Sequence, residues 1–275
     1  MKIQELLIYG YKFLGNTIDC ELILSHILKR ERLDLLINPS DIISKEEIAL
    51  YKNLLNKRKG NQPIAQIICK KEFWNHEYVV NNNILIPRPD SESLIEIALE
   101  LFPNKKQFLK ILELGTGSGC LIISLLSEYK NAIGIGIDKS IDAYKATKHN
   151  AKLHKINNRL TINRKSWNEF YTNTKFDIII SNPPYIKRMD INHLEKDVRI
   201  HEPLLALNGG IHGISKYLEI LPIIAKNLKK YAILEISDHH QLNLLKKYII
   251  YYNFRIVKII RDLSHSVRGI VLSKC

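Results

Sequence analysis

Four residues that follow a predicted strand, Asn182, Pro183, Pro184 and Tyr185, carry groups that suit binding of a planar amino group. They come directly after the apolar segment FDIIIS, so they fall at the carboxyl edge of a sheet, where open α/β folds bind ligands. The Asn182 amide oxygen accepts a hydrogen bond, and the prolines fix the chain so that a backbone carbonyl also points inward. Tyr185 adds a ring that can pack on a planar substrate. Two prolines that merely end a strand would explain neither Asn182 nor Tyr185.

A second candidate site lies in ILELGTGSGC, where Gly115, Gly117 and Gly119 join the end of a strand to the start of a helix. Glycines at such a junction let the backbone turn sharply and approach a ligand closely. The spacing is G-x-G-x-G and not the G-x-G-x-x-G of dinucleotide-binding folds, so the pattern is a weak signal by itself. No Lys-Ser or Lys-Thr pair follows the glycines, which argues against a phosphate-binding P-loop.

Asp138 and Trp167 extend this second site to a nucleoside. Asp138 ends the next predicted strand, where a carboxylate can accept hydrogen bonds from both ribose hydroxyls. A role as N-cap of the following helix would explain Asp138 about equally well by itself, but the neighbouring glycines favour the nucleoside. Trp167 can supply a flat wall for adenine, although a buried tryptophan needs no ligand. A nucleoside cofactor without a dominant phosphate describes S-adenosylmethionine.

Together, the two sites predict methyl transfer from a sulfonium to a planar NH₂ group. An amide nitrogen is a poor nucleophile because its lone pair is delocalised. Hydrogen bonds from its two N–H groups to the Asn182 side chain and the Pro183 carbonyl would hold it in line and favour charge development at nitrogen. The reaction is then a direct displacement, for which the sequence identifies no general base.

Alternating strand and helix signals position these residues. From about Ser91 onward, strands are predicted at LKILELG, AIGIGID, RLTINR, KFDIIIS, YAILEIS, FRIVKIIRD and RGIVLSK. Strands that alternate with helices imply a mostly parallel sheet with helices on both faces. The last two strands are joined by a short turn, which predicts an antiparallel strand at the edge of the sheet.

The first ~60 residues predict a small helical module. Asp19 is a candidate N-cap for DCELILSHILKR, and Ser44 and Glu47 have capping-box spacing at the start of a second helix. The following EFWNHEYVVNNNILIPRPDSE mixes β-forming residues with an Asn81–Asn83 turn, which predicts a hairpin linker. We therefore expect a helical domain (1–72), a hairpin linker (73–90) and a methyltransferase domain (91–275).

Composition and charge narrow the class of protein. The 275 residues are 45% hydrophobic, as in ordinary globular domains, and no apolar run approaches the ~18 residues of a membrane-spanning helix. The start of the chain has no signal-peptide layout, so we expect a soluble cytoplasmic protein without a membrane partner. The net charge of +13 favours acidic partners, but lysine, isoleucine and asparagine abound throughout the chain. No metal site is expected, because the four cysteines are scattered and His239-His240 lacks a third ligand.

The chain resembles the HemK/PrmC family, the glutamine-N(5) methyltransferases of peptide chain release factors. The matching motifs are DCELIL, EFW, IPRPDSE, LELGTGSG, SNPPYI and DVRIHEPLLALNGG. The N-P-P-Y element is shared with amino-methyltransferases that act on DNA, whereas PRPDSE and the helical module are more specific to the family. The resemblance implies a Rossmann-like class I methyltransferase fold, with a seven-stranded, mostly parallel sheet whose last strand is antiparallel. A small N-terminal helical domain and a hairpin linker would precede it.

The resemblance also implies roles for individual residues. S-adenosylmethionine would contact Gly115, Thr116, Gly117, Ser118, Gly119, Asp138, Trp167 and Asn182. The catalytic residues Asn182, Pro183, Pro184 and Tyr185 would hold the glutamine of a Gly-Gly-Gln loop in a release factor, and this methylation would modulate translation termination. Phe73 and the Arg88–Glu92 segment would line the same cleft. The N-terminal helices would help to grip the release factor, and no direct nucleic-acid substrate is expected.

Four positions depart from the family pattern. Ser166 stands where an acidic residue is frequent, Cys69 and His265 stand where glycine is usual, and His212 stands where aspartate is usual. None lies in the Asn-Pro-Pro-Tyr element, so activity is expected. Two other classes stay open: an adenine-N(6) methyltransferase acting on DNA or RNA, favoured by N-P-P-Y and the charge, and a non-catalytic binding protein, favoured only by these departures.

Overall fold

A computed structural model describes residues 1–262 and 264–275, which form two compact units. The smaller unit comprises Met1–Lys70 and Glu195–His201, and the larger comprises Lys71–Leu194 and Glu202–Cys275. Within the described residues, no helix combines the length and the apolar character needed to cross a membrane.

The helices are α1 (Ile3–Leu14), α2 (Thr17–Leu28), α3 (Arg32–Ile37), α4 (Lys45–Lys59), α5 (Ile64–Ile67), α6 (Glu92–Leu101), α7 (Cys120–Glu128), α8 (Ile141–Leu153), α9 (Lys196–His201), α10 (Leu204–Leu207), α11 (Ser215–Asn227) and α12 (His239–Tyr251). The strands are β1 (Lys70–Phe73), β2 (His76–Val79), β3 (Lys110–Leu114), β4 (Ile133–Asp138), β5 (Leu160–Arg164), β6 (Phe176–Ser181), β7 (Leu228–Glu235), β8 (Phe254–Arg261) and β9 (Val267–Lys274). Short 3-10 helices occur at Pro89–Ser91, Trp167–Glu169 and Ile191–His193.

The smaller unit contains the predicted helical module. The capping box of α4 is confirmed, since the Ser44 hydroxyl and the Glu47 carboxylate each accept a hydrogen bond from the other residue's backbone N–H. The predicted N-cap of α2 is wrong, because the helix begins three residues earlier and is capped by Asn16, whose Oδ1 accepts from the Asp19 N–H at 3.0 Å. Asp19 lies inside the helix instead, and its carboxylate pairs with Arg58 of α4 at 2.6 Å.

The larger unit is built on a seven-stranded sheet with the strand order β5-β4-β3-β6-β7-β9-β8. Strands β3 to β7 pair in parallel, and the last strand, β9, is antiparallel to both of its neighbours, as predicted. The edge strand is β8, which pairs antiparallel with β9, and β9 lies between β7 and β8. Ile270, Val271 and Leu272 are fully buried, and a strand that is apolar on both faces is stabilised inside a sheet.

Helices cover both faces of this sheet. Successive strand residues point to opposite faces, so Ile111 and Ile178 belong to a first core with α6 and α7. Leu112 and Ile179 belong to a second core with α11 and α12. Each face therefore buries its own apolar layer, and the polar ends of the strands are left at the edges.

A hairpin of β1 and β2 precedes the sheet in the chain, but it spans Lys70–Val79 and so begins before the predicted linker (73–90). Its turn is formed by Trp74 and Asn75, and Trp74 adopts the left-handed conformation with φ 55°. The predicted Asn81–Asn83 turn is a separate turn after β2, in which the Asn83 N–H donates to Asn81 Oδ1 at 2.8 Å.

Candidate active site

One cavity lies at the carboxyl ends of the parallel strands. Because β3, β4, β5 and β6 run in the same direction, the loops that follow them meet at a single edge of the sheet. The cavity has a volume of about 520 Å³. Its lining includes the predicted residues Gly115, Thr116, Gly117, Ser118, Asp138, Trp167, Asn182 and Pro184, and also Arg88, Ser91, Glu113 and Ser166. The structure thus brings both sequence motifs to one place.

The glycine loop has a backbone that other residues cannot easily adopt. Gly117 and Gly119 have φ of 55° and 82°, in the left-handed region that favours glycine. A Cβ on Gly119 would also lie 2.7 Å from Cγ2 of Thr147, which is closer than real contacts allow. Gly119 does not line the cavity. Its lack of a Cβ lets the loop pack closely against Thr147 of α8. The Thr147 hydroxyl supports the loop by donating to the Gly117 carbonyl at 3.0 Å.

Asp138 at the end of β4 is held by backbone groups. Its Oδ2 accepts from the Gly117 N–H at 3.0 Å, and its Oδ1 accepts from the Ser140 N–H at 2.9 Å. Asp138 is not the N-cap of α8, because Ser140 fills that position. Each carboxylate oxygen keeps a further lone pair, so Asp138 can still accept two hydrogen bonds from a ligand. Burial raises the pKa of Asp138, and the two backbone hydrogen bonds oppose that rise.

The Trp167 ring lies against the glycine loop and lines the same cavity. Its ring atom Cζ2 lies 3.4 Å from the position that a Cβ of Gly115 would take, so ring and loop are in ordinary van der Waals range. Ser166 caps the 3-10 helix that carries Trp167, since its N–H and hydroxyl both donate to the Glu169 carboxylate at 2.9 Å. The serine at this position therefore fixes the start of the turn that presents the ring.

A chain of hydrogen bonds through Ser91 to Glu235 holds the Asn182 side chain. Its Nδ2 donates to Ser91 Oγ at 3.1 Å, and Ser91 donates to Glu235 Oε2 at 2.5 Å. The Tyr185 hydroxyl donates to Glu235 Oε1 at 3.1 Å, and the Tyr185 ring packs against the second core. Tyr185 and Pro183 are outside the cavity lining, so Tyr185 supports the corner and Asn182 and Pro184 face the cavity.

Two buried carboxyl groups were missed by the sequence reasoning. Glu235 is 3% exposed, and burial raises its pKa to about 7, opposed by the hydrogen bonds from Ser91 and Tyr185. Glu113 is 1% exposed, accepts from the Ile122 N–H at 3.3 Å, and has a pKa raised well above the usual range by burial. Each glutamate directly follows buried apolar residues of its strand, which was a signal for both, since a buried carboxyl group needs a partner.

The PRPDSE segment lies at the cavity, whereas Phe73 does not. Arg88 lines the cavity and pairs with the buried Glu202 carboxylate at 2.5 Å. Phe73 was expected in the same cleft, but it is 1% exposed in the first core, edge-on to Tyr78 with ring centroids 6.2 Å apart. An aromatic residue at the end of β1 packs there because the hairpin buries that face.

Comparison with known sequences gives matches along most of the chain. The family model described as Methyltransferase small domain matches residues 91–235, and the one described as PrmC N-terminal domain matches residues 5–68. A release factor glutamine methyltransferase of Aliivibrio fischeri is 41% identical over 221 residues, which cover 80% of this chain and 75% of that protein. Another, of Caulobacter vibrioides, is 37% identical over 213 residues, which cover 78% of this chain and 73% of that protein.

Longer relatives also match. A bifunctional methyltransferase of Rickettsia prowazekii is 34% identical over 279 aligned positions, which cover 93% of this chain but 53% of that protein. The chain thus spans about half the length of these bifunctional relatives.

Solved structures show the same fold. The ribosomal protein L11 methylase of Lactobacillus delbrueckii subsp. bulgaricus has a TM-score of 0.51 at 19% identity, over 70% of this chain and 81% of that chain. A methyltransferase from Pyrococcus furiosus has a TM-score of 0.53 at 17% identity, over 80% of this chain and 98% of that chain. The larger unit has the Rossmann-like methyltransferase fold.

Proposed function

Because the chain belongs to the family of release factor glutamine methyltransferases, we propose that it methylates the side-chain amide nitrogen of a release-factor glutamine. The methyl donor is S-adenosylmethionine, the glutamine is that of the Gly-Gly-Gln loop, and the modification modulates translation termination. One observation carries the proposal. The Asn182 amide lies on the same cavity as the glycine loop and Asp138, so an amide acceptor and a nucleoside donor can meet there.

The cavity fits the methyl donor. Its volume of about 520 Å³ is within the usual ~300–1,000 Å³ of sites that take small molecules. Asp138 keeps lone pairs for the ribose hydroxyls, and Trp167 provides a flat face for adenine. When bound, S-adenosylmethionine supplies an electrophilic methyl group on a positively charged sulfur.

The N-P-P-Y corner then positions the acceptor. Asn182 Oδ1 accepts one N–H of the glutamine amide, and the Pro183 carbonyl, which lies in the chain between the lining residues Asn182 and Pro184, accepts the other. With both hydrogens held, the nitrogen faces the methyl group and positive charge that develops on it is stabilised. The bound donor would supply the methyl group for the new N–C bond and keep the electron pair of its broken C–S bond, while the glutamine nitrogen held by Asn182 would lose one proton to water.

The smaller unit is proposed to bind the release factor. It exposes four large apolar side chains within a ten-residue stretch, namely Leu33 at 67%, Leu36 at 53%, Ile37 at 66% and Ile42 at 85%. Neighbouring exposed apolar residues are typical of protein-binding surfaces. The helical domain, hairpin linker and methyltransferase domain (1–72, 73–90 and 91–275) remain our proposed division of these roles.

The test is methylation of a release factor in vitro. The protein is incubated with labelled S-adenosylmethionine and a release factor whose Gly-Gly-Gln loop is intact or has the glutamine replaced by alanine. Label on the intact factor alone, with one methyl group on the Gly-Gly-Gln peptide by mass spectrometry, is expected. Equal labelling of the two factors would overturn the assignment. Transfer to adenine in duplex DNA or RNA, with steep salt dependence, would instead identify the adenine-N(6) enzyme.

A further inference from the structure

The hydrogen-bond chain behind Asn182 connects residues that are distant in sequence. Strands β6 and β7 pair with Ser181 opposite Leu234, so Asn182 and Glu235 each come one residue after that pair. Ser91 reaches between them from the 3-10 helix before α6, and it is 2% exposed. The result is a continuous buried path from the cavity at Asn182, through Ser91, to the Glu235 carboxylate.

The direction of each hydrogen bond in this path follows from the groups present. An ionised carboxylate only accepts, so the single hydroxyl hydrogen of Ser91 and that of Tyr185 are both donated to Glu235. With its hydrogen used, Ser91 Oγ can only accept from Asn182. Asn182 must therefore turn Nδ2 towards Ser91 and Oδ1 away from it.

This direction matters because the two ends of an asparagine amide have almost the same shape. Packing alone distinguishes them poorly, whereas their chemistry is opposite. Oδ1 accepts an N–H of an incoming amide, but Nδ2 would oppose it with a hydrogen of its own. A reversed Asn182 would remove one of the two acceptors that the reaction needs.

We propose that Ser91 and Glu235 are positioning residues that fix the Asn182 amide with its oxygen towards the acceptor nitrogen. Neither touches the reacting atoms. Both act through Asn182, and the inference rests on the proposed amide methylation.

Ionisation of Glu235 controls this arrangement. A protonated Glu235 can donate to Ser91, which frees the serine hydrogen for Asn182 Oδ1 and permits the reversed amide. The pKa of Glu235 is raised to about 7, chiefly by burial; the hydrogen bonds from Ser91 and Tyr185 and the charge of Arg268 of β9 lower it, and Asp90 raises it. The other titratable groups around Glu235 are Tyr185, Cys120 of α7, and Tyr217 of α11, whose hydroxyl donates to the Glu235 backbone carbonyl at 2.6 Å.

The kinetic test compares Ser91→Ala, Ser91→Thr, Glu235→Gln and the control Ser93→Ala. Ser93 lies two residues from Ser91, but its exposed hydroxyl donates to the Asp90 carbonyl at 2.6 Å and it does not line the cavity. kcat for release-factor methylation is measured from pH 6 to 9 with saturating S-adenosylmethionine. In the wild type, kcat should fall as pH drops through about 7 and level off about five- to tenfold lower, as Glu235 protonates and the reversed amide becomes accessible.

Each variant has its own expected result. Ser91→Ala and Glu235→Gln should lower kcat about five- to tenfold at pH 8, abolish the acid limb, and leave the KM for S-adenosylmethionine nearly unchanged. Ser91→Thr keeps the hydroxyl and should retain the acid limb, and Ser93→Ala should match the wild type. A wild-type kcat and acid limb in Ser91→Ala would overturn the proposal.

A second readout does not depend on the substrate. The Asn182 side-chain amide signals, assigned by their loss in Asn182→Ala, are followed by NMR together with the Glu235 carboxyl carbon. The two should titrate with one midpoint in the wild type and in Ser91→Thr, and the Asn182 signals should stop titrating in Ser91→Ala. If the wild type does not methylate release factors, the proposed function fails and this titration still decides the positioning role. Asn182 signals that ignore Glu235 ionisation in the wild type would refute it.

Discussion

Replacement of Gly119 by alanine should destabilise the larger unit through two separable effects. The left-handed φ of 82° costs a residue with a Cβ about 1–2 kcal/mol. The new Cβ would also lie 2.7 Å from Thr147 Cγ2 and 3.0 Å from Ile123 Cδ1, and overpacking of this kind costs about 1–3 kcal/mol. The expected loss in the free energy of unfolding is therefore roughly 2–5 kcal/mol.

Two further variants separate strain from steric overlap. Gly115→Ala has the same backbone strain, with φ 84°, but its Cβ meets only Trp167 at 3.4 Å, so it should lose about 1–2 kcal/mol. Thr147→Ser removes the overlapping methyl group and keeps the hydroxyl that supports Gly117. Gly119→Ala combined with Thr147→Ser should therefore recover about 1–3 kcal/mol relative to the sum of the single changes.

Urea unfolding followed by tryptophan fluorescence suits this measurement. The chain has two tryptophans, Trp74 and Trp167, and both lie in the larger unit, so the signal follows that unit even if the smaller one unfolds separately. A Gly119→Ala variant as stable as Gly115→Ala would refute the steric argument. Additive effects of Gly119→Ala and Thr147→Ser would refute it equally.

Four more outcomes are expected. Asp138→Ala should weaken S-adenosylmethionine binding about 10- to 100-fold in calorimetry, because two hydrogen bonds to a charged group are lost; unchanged affinity would remove Asp138 from the cofactor site. Asn182→Ala should lower kcat about 10²–10³-fold with the unfolding midpoint unchanged, and a wild-type rate would contradict its role as an acceptor. Cys69→Gly should stabilise the smaller unit by about 0.5–1 kcal/mol in circular dichroism melts, because Cys69 has a left-handed φ of 57° and glycine adopts it without strain. Destabilisation would show that contacts of the thiol contribute more than the backbone strain costs. Folding raises the pKa of Glu235 to about 7, so the folded protein binds the carboxyl proton more tightly than the unfolded chain does. The free energy of unfolding should therefore fall as pH rises from about 4.5 to 7. A Glu235→Gln variant with the same pH dependence would contradict this.

The strand ends could be predicted from sequence because each is a local pattern. Gly115, Asp138 and Asn182 all follow short apolar runs, and parallel strands necessarily bring such positions to one edge. The link between Ser91 and Glu235 could not be found in this way, since 144 residues separate them and their contact depends on how the 3-10 helix before α6 packs against the end of β7.

Local signals also failed where two residues compete for one role. Asn16 and Asp19 are both good N-caps, and the choice between them is decided by the pairing of Asp19 with Arg58 in another helix. Similarly, the short connection between β8 and β9 predicts an antiparallel pair, but not which member borders β7. The burial of Ile270–Leu272 decides that, and burial is a property of the assembled sheet.

The distribution of charge at the cavity bears on which acceptor enters it. The whole chain carries +13, yet the residues that line the cavity include four cationic and four acidic side chains, so little net positive charge is concentrated there. A channel for single-stranded or flipped-out nucleic acid needs an excess of positive charge along the backbone path, and binding there depends steeply on salt. A lining with this balance of charge offers little such attraction, and an uncharged glutamine side chain does not need it. The balanced lining therefore favours a protein amide over adenine in DNA or RNA, although the N-P-P-Y corner alone accommodates both. The charged residues concerned are Arg88, Lys139, Lys165 and Lys216, and Glu113, Asp138, Asp142 and Glu219.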